Sequence, residues 1–226
     1  MTLPSDRELA QLQLAAYQYP DASGTVTAFA WDWQAILKTR PAGFKIVNGV
    51  VVIILPGTQD KEQWEDDFNA LPRATNHPVF GRIHAGFWSG IEAFCDALVP
   101  ALPPGMPIVV IGHSLGGAEA PLVAAQLMAM GFEIARLVCF APPRPGMQEL
   151  ATYLAAVPKA LYRTVGSAAP GRDLVCEVPF YVPAVAPYCH VGTLTDLWVT
   201  PFPDDPWLVF KYHHCQLYAG ALAATP

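Results

Sequence analysis

Apolar residues recur along the chain in two rhythms, and the rhythm switches repeatedly. Leu9, Leu12 and Ala16 stand three or four apart after Ser5, which predicts a helix capped by Ser5 and running to about Tyr19. Two strands are expected next, near Thr25 to Trp31 and Lys45 to Leu55, the second a Val/Ile run of the kind buried on both sheet faces. A short helix is expected over Lys61 to Asn69. From Gly86 to Leu98 the stripe Phe87, Ile91, Phe94, Leu98 predicts an amphipathic helix. Pro107 to Ile111 (Pro-Ile-Val-Val-Ile) is a short buried-strand signal that runs into a Gly/Ser turn and then an Ala-rich helix ending near Gly131. A strand at Ile134 to Phe140, a helix at Met147 to Ala156, a strand at Ala160 to Val165 and a last helix after His213 complete the alternation. Alternating β and α elements predict an α/β fold: a central, mostly parallel sheet with helices on both faces.

Composition supports a globular reading. Of 226 residues, 53% are hydrophobic and 14% charged, enough to bury one large core, so a single domain over residues 1–226 is expected. The formal charge of −6, with no Lys/Arg cluster, offers no footprint for nucleic acid. No apolar run approaches the ~20 residues that span a bilayer, so stable membrane insertion is not expected. The first residues carry no basic stretch followed by an apolar one, so no secretory leader is expected in the sequence as given, which leaves the cytoplasm and secretion after leader removal both open. The cysteines Cys95, Cys139, Cys176, Cys189 and Cys215 form no C-x-x-C pair. If a bridge exists, Cys176 to Cys189 is the first choice, closing a Pro-rich loop for about 3 kcal/mol.

The chemistry lies at Gly112-His113-Ser114-Leu115-Gly116, a G-x-S-x-G sequence set between a strand signal and a helix signal. That context is the nucleophile elbow of the α/β-hydrolase fold, in which a sharp turn lifts the serine hydroxyl above the sheet. A serine needs an imidazole to take its proton, and the imidazole needs a carboxylate to fix its tautomer. The chain order in this fold is Ser, acid, His. His77, His84 and His113 lie at or before the elbow, which leaves His190, His213 and His214. Asp173 follows a strand and a Gly171-Arg172 turn, where such an acid belongs; Asp196 is second, because Thr195-Asp196-Leu197-Trp198 reads as an edge strand or cap. His113, His84 and His190 read as hydrogen-bonded structural residues, Asp67 and Arg144 as loop ties, and Trp31, Trp33, Trp88, Trp198 and Trp207 as core or cleft wall. The tandem His213-His214 has no second ligand pair at metal spacing, so no metal is expected, and the chemistry needs no organic cofactor.

Several ordered motifs together resemble the class 3 lipases, the family of filamentous-fungal triacylglycerol lipases and type A feruloyl esterases. Gly57-Thr58 with Trp64 and Asp67 is similar to the family's G-[ST]…W-x-x-D segment, and His84-Ala85-Gly86-Phe87 to its H-x-G-F. Gly112 to Gly117 reads G-H-S-L-G-G, and Ala141 to Gly146 resembles G-x-P-R-x-G. Arg172-Asp173-Leu174-Val175 with Val178-Pro179, and His190-Val191-Gly192, resemble the acid loop and the segment after it. The resemblance implies a Ser/Asp/His hydrolase of carboxylic esters, with small-molecule esters as its partners. It also implies an oxyanion hole built from the backbone N–H groups of Thr58 and Leu115, and a lid segment at residues 59–70. Pro56 departs from the family's Arg before Gly-Thr, and Pro121 stands inside the elbow helix, where it should kink it. For the base, spacing to Cys215, Tyr218 and Leu222 resembles that of bacterial relatives and favours His213, whereas the fungal spacing favours His214. Adjacent residues at a helix start point about 100° apart, so sequence leaves both open. The lid segment holds five acids against one lysine, and its helical stripe Lys61, Trp64, Glu65, Phe68 has two apolar members. Such a lid exposes little apolar area on opening, which implies soluble short or medium-chain esters rather than a lipid surface.

Overall fold

A computed structural model of the chain describes residues 2–19, 23–58, 74–179, 187–202 and 210–224. The helix expected at Lys61 to Asn69, the lid segment 59–70 and the residues Trp64, Asp67 and Trp207 lie outside the described residues. Among the described residues a seven-stranded sheet runs β1 (Trp33–Leu37), β2 (Arg40–Val47), β3 (Val50–Leu55), β6 (Ile108–His113), β7 (Ile134–Phe140), β8 (Lys159–Val165), β9 (Leu194–Trp198) in spatial order. Strands β4 (Ala74–His77) and β5 (Gly81–His84) form a separate hairpin. In the seven-stranded sheet β1, β2 and β3 pair antiparallel, and β3, β6, β7, β8 and β9 pair parallel. This is the layout expected of an α/β-hydrolase.

The helices are α1 (Asp6–Ala16), α2 (Ala85–Trp88), α3 (Ile91–Leu98), α4 (Leu115–Ala129), α5 (Gln148–Tyr153) and α6 (Cys215–Ala224). The strand period of two divides them between the faces. Val51, Ile53 and Leu55 point into one core with Phe87, Ile91, Phe94 and Leu98 of α2 and α3 and the apolar residues of α4. Val50, Val52 and Ile54 point into the other, with Leu9, Ala10 and Ala16 of α1 and Tyr218, Ala219 and Leu222 of α6. All six residues of β3 are buried, each apolar side chain contributing about 1.5–3 kcal/mol, which explains why this strand shows no polar alternation. Ser5 caps α1 in a reciprocal capping box with Glu8.

Several expected boundaries move, each for a local reason. Lys45 to Leu55 is not one strand but the end of β2, a two-residue turn and β3: Asn48 and Gly49 both take left-handed backbone (φ 52° and 78°), and Val47 pairs with Val50. That is the Asn-Gly hairpin turn, masked in sequence by apolar residues on both sides. Thr25 to Trp31 is not a sheet strand; Phe29 and Trp31 form an edge-on ring pair over the α1/α6 core, and the ladder starts at Trp33. The helix expected over Gly86 to Leu98 breaks at Ser89-Gly90, where Gly90 has φ 82°, yet its whole apolar stripe is buried. α1 ends at Ala16 with Tyr17 as its C-cap, three residues short of Tyr19. α4 continues through Pro121. The Cys176 to Cys189 bridge does not form: all five cysteines are free. Cys176 is buried in the α1/α6 core, whereas the Cys189 backbone is held by Gly146, which also bridges Ile83 of β5. Trp198 is not core, being 76% exposed on edge strand β9.

Candidate active site

The elbow is a steric solution. Ser114 sits between β6 and α4 with φ 58° and ψ −127°, a conformation side chains rarely adopt, and its N–H donates to Phe140 O at 3.0 Å. A Cβ on Gly112 would lie 2.0 Å from Gly116 O, and one on Gly116 would lie 1.8 Å from Leu55 O. Only glycine lets the turn close on itself and the helix start against β3.

His213 reaches this serine from the turn that precedes α6. The Ser114 hydroxyl lies 2.7 Å from His213 Nε2, and His213 Nδ1 lies 2.8 Å from Asp173 Oδ2. Asp173 is fully buried and its oxygens also accept from the Tyr218 hydroxyl at 2.6 Å and the Val175 N–H at 2.9 Å. A carboxylate that only accepts requires Nδ1 of His213 to donate, so Nε2 of the neutral ring is bare and takes the serine hydrogen. Burial, then the Asp173 charge, pushes the Tyr218 hydroxyl well above its usual range, which keeps it a donor.

The loops that deliver Asp173 and His213 are tied by local and long-range contacts. Asp173 N–H returns to Thr164 O at 3.0 Å, and Gly166 N–H meets Gly171 O at 3.0 Å to close the loop after β8. Buried Thr164 donates its hydroxyl to the Tyr212 carbonyl, and the Tyr212 hydroxyl donates to Ala168 O at 2.8 Å, so the acid loop and the residue before His213 are fastened to each other. Arg144 ties the same region through Glu177 (2.6 Å) and the Pro179 carbonyl (2.8 Å).

Beneath the site His113 is buried and hydrogen-bonded at both nitrogens. Its Nε2 faces the His213 carbonyl at 2.9 Å and its Nδ1 faces the Tyr17 hydroxyl at 2.6 Å. Burial, then His213, holds His113 well below the usual imidazole range, so the ring is neutral. A carbonyl can only accept, so Nε2 carries the hydrogen, Nδ1 accepts from Tyr17, and the Tyr17 oxygen accepts from Gly57 N–H at 2.7 Å. One hydrogen-bonded line therefore joins the strand end before Thr58 to the backbone of His213. The sequence signals nothing of Tyr17 in this line.

Of the remaining candidates, Leu115 is the first residue of α4, where an N–H has no partner inside the helix, and Thr58 follows Gly57 at the end of the described β3 segment, half-buried. His214 packs edge-on against Phe202 with ring centres 4.5 Å apart, not on Ser114. Asp196 stands on β9 and pairs with Arg163 at 2.8 Å. His84 accepts from Phe87 N–H as the cap of α2, and His190 Nε2 lies 3.0 Å from Pro142 O; burial, the largest influence on each, lowers both to about 4.

The profile of the family described as "Lipase (class 3)" matches residues 52–182, from β3 through the acid loop. The secreted mono- and diacylglycerol lipase A of Penicillium camembertii is 31% identical over 148 residues, covering 61% of this chain and 48% of that protein. The secreted mono- and diacylglycerol lipase 1 of Fusarium solani is 30% identical over 179 residues, covering 76% and 51%. The chain thus spans about half the length of these curated relatives. The crystal structure of the Aspergillus oryzae mono- and diacylglycerol lipase superposes with a TM-score of 0.63 at 20% identity over 88% of this chain and 80% of that one. The Rhizopus microsporus var. chinensis lipase gives 0.62 at 20% identity over 98% and 84%. These superpositions establish the α/β-hydrolase fold, and the family profile, spanning the strand before Thr58, the elbow and the acid loop, establishes that the chain belongs to the class 3 lipases.

Proposed function

We propose that the protein hydrolyses carboxylic esters through an acyl-enzyme, with Ser114 as nucleophile, His213 as base and Asp173 as the acid that orients it. The observation that carries the reading is the unbroken line Ser114, His213, Asp173, with both contacts under 3 Å and the carboxylate buried. His213 Nε2 takes the serine proton as Oγ attacks the carbonyl carbon. The backbone N–H groups of Thr58 and Leu115 receive the negative charge that develops on oxygen, an effect worth about 3–4 kcal/mol per donor in related chemistry. The tetrahedral species collapses, the alcohol leaves with the proton from His213, and water repeats the sequence on the acyl-enzyme.

For the substrate, the sequence of residues 59–69 favours soluble short or medium-chain esters, because five acids and two apolar aromatics make a poor lipid-docking stripe. A second reading, hydrolysis of mono- and diacylglycerols, is supported by the names of the relatives from Penicillium and Fusarium. Rates on p-nitrophenyl esters from acetate to palmitate, and on tributyrin carried through its solubility limit, separate the two. Smooth saturation supports soluble esters; a sharp rise at the solubility limit, absent from a soluble-ester control, supports the acylglycerol reading.

A further inference from the structure

Glu119 is fully buried on α4, one helical turn beyond Leu115. A carboxylate in that position requires compensation, and it comes from the tip of the β1–β2 hairpin. Arg40 Nη2 binds Glu119 Oε2, and Lys38 Nζ lies 2.9 Å from Oε1. Both cations also reach backbone: Arg40 Nε donates to the Pro56 carbonyl, and Lys38 Nζ to the Gly86 carbonyl at 2.8 Å. The Pro56 carbonyl belongs to the same peptide plane as the Gly57 N–H, which donates to Tyr17. That plane is therefore gripped at both ends, immediately before Thr58.

The strand end and the elbow approach each other here through glycines. A Cβ on Gly57 would lie 2.7 Å from Ser114 Cβ, and one on Gly116 would lie 2.8 Å from Pro56 O. A close approach through glycines leaves the spacing to hydrogen-bonded ties, Tyr17 with His113 on one side and Arg40 with Glu119 on the other. We propose that Arg40, seated on Glu119, is a positioning residue of the oxyanion hole, fixing the Pro56–Gly57 peptide against α4 so that the Thr58 and Leu115 N–H groups converge on one point. The guanidinium suits this because separate nitrogens of one rigid fork serve the two acceptors. A buried ion pair is weak support for stability, since apolar replacements of similar volume often do as well, but it fixes geometry. The inference rests on the ester-hydrolase reading.

The test compares parent, Arg40→Ala, Arg40→Lys, Glu119→Gln and Ser114→Ala on a soluble p-nitrophenyl ester, with sites counted by fluorophosphonate labelling run to completion. An alkylboronic acid, whose tetrahedral serine adduct places an oxygen in the same hole, supplies a second readout. Misplacement of about 1 Å can cost about 10²-fold in rate, so Arg40→Ala should lower kcat per labelled site by about 10- to 100-fold. KM should stay within about threefold, boronate affinity should fall in step with kcat, and Arg40→Lys and Glu119→Gln should fall between. A merely structural pair predicts a lower Tm with kcat per labelled site unchanged; that result, or a loss confined to KM, overturns the inference. Should Arg40→Ala yield no labelled protein, Arg40→Lys decides: parent-like kcat and boronate affinity overturn the proposal, and a joint fall supports it. Turnover at the parent's level in Ser114→Ala brings down the site reading itself, whereas a loss of orders of magnitude in Ser114→Ala beside a parent-like Arg40→Ala overturns the Arg40 role alone.

Discussion

The two halves of the candidate site are held by different kinds of constraint. Ser114 is placed by its immediate neighbours: β6 before it, α4 after it, and glycines whose missing side chains allow the turn. Asp173 and His213 are held by partners far away in the chain, Tyr218 for the acid and His113 for the base, and the two loops are joined where Thr164 of β8 meets the Tyr212 carbonyl. A local constraint is robust and readable in a few letters. A distributed one tolerates the loss of any single tie at graded cost, because several others remain.

The largest break follows from removing the locally placed atom. Ser114→Ala should abolish fluorophosphonate labelling and reduce kcat by about 10⁵- to 10⁶-fold, while the near-UV circular dichroism spectrum keeps its native shape. Residual turnover above that of water is compatible with this outcome, because the backbone N–H donors survive. Labelling of the variant at the parent's rate would place the nucleophile elsewhere.

Asp173→Asn should come next. The amide keeps the volume but presents an N–H or a weaker acceptor to His213 Nδ1, favouring the wrong tautomer, and kcat should drop by up to about 10⁴-fold with KM little changed. Equal activity in the variant would remove Asp173 from the mechanism. Tyr218→Phe sharpens the comparison by cutting the ties of one distributed partner. It deletes the 2.6 Å hydrogen bond to Asp173 Oδ2 and the 3.2 Å acceptor of the Thr164 N–H, and leaves the other contacts of the carboxylate in place. The expected cost is about 1.5–3 kcal/mol of stability, measured by urea unfolding, with a kcat loss of about tenfold. A loss as large as that of Asp173→Asn would show that the ties act as one unit.

The same division explains what could be read in advance. The elbow, the β6–α4 unit and β7 are legible because strand burial, glycine sterics and helix periodicity all act within about 20 residues. Family resemblance carried the acid loop and the Thr58 segment. The β2–β3 turn was legible in principle, since Asn48-Gly49 is a strong hairpin signal, but the apolar run through it outweighed two residues. Tyr17 could not be read: its contacts to Gly57 and His113 span 40 and 96 residues, and nothing local separates it from any aromatic residue at a helix end. The Arg40 to Glu119 pair spans 79 residues and was equally hidden. Trp198 misled because an aromatic on a strand usually packs, yet β9 is the sheet's edge and its outer face is open.

Acid should loosen the distributed half gradually. His113, His84 and His190 are all held below the ordinary imidazole range, burial being the largest cause for each. A depressed folded-state value means that the unfolded chain binds protons the native chain refuses. Their contribution is therefore complete above about pH 6.5, the unfolded value, and is lost as pH falls toward 4 and below. Tm should decline across that window, at about 2–4 °C for each 1 kcal/mol lost. His113→Gln, whatever its starting Tm, should flatten the decline, since it removes the most deeply buried of these groups. A slope identical to that of the parent would mean that His113 takes up its proton in the native state.

The smallest effect is expected at the other acid. Asp196 meets Arg163 at 2.8 Å, but its side chain is 44% exposed on edge strand β9, and Arg163 keeps Glu177 at 3.2 Å as a second partner. Water screens such a pair and a spare partner replaces part of it, so the net contribution of the bond is about 0–1 kcal/mol. Asp173, by contrast, is fully buried and has no solvent to replace a lost hydrogen bond. Asp196→Asn should therefore leave kcat within about twofold and shift the urea midpoint by no more than about 1 kcal/mol permits. The two carboxylates thus form a matched pair in which the same isosteric change is read at opposite extremes of burial. If Asp196→Asn lowered kcat by orders of magnitude while Asp173→Asn did not, exposure would be the wrong guide to which acid serves His213, and the assignment of the acid would pass to β9.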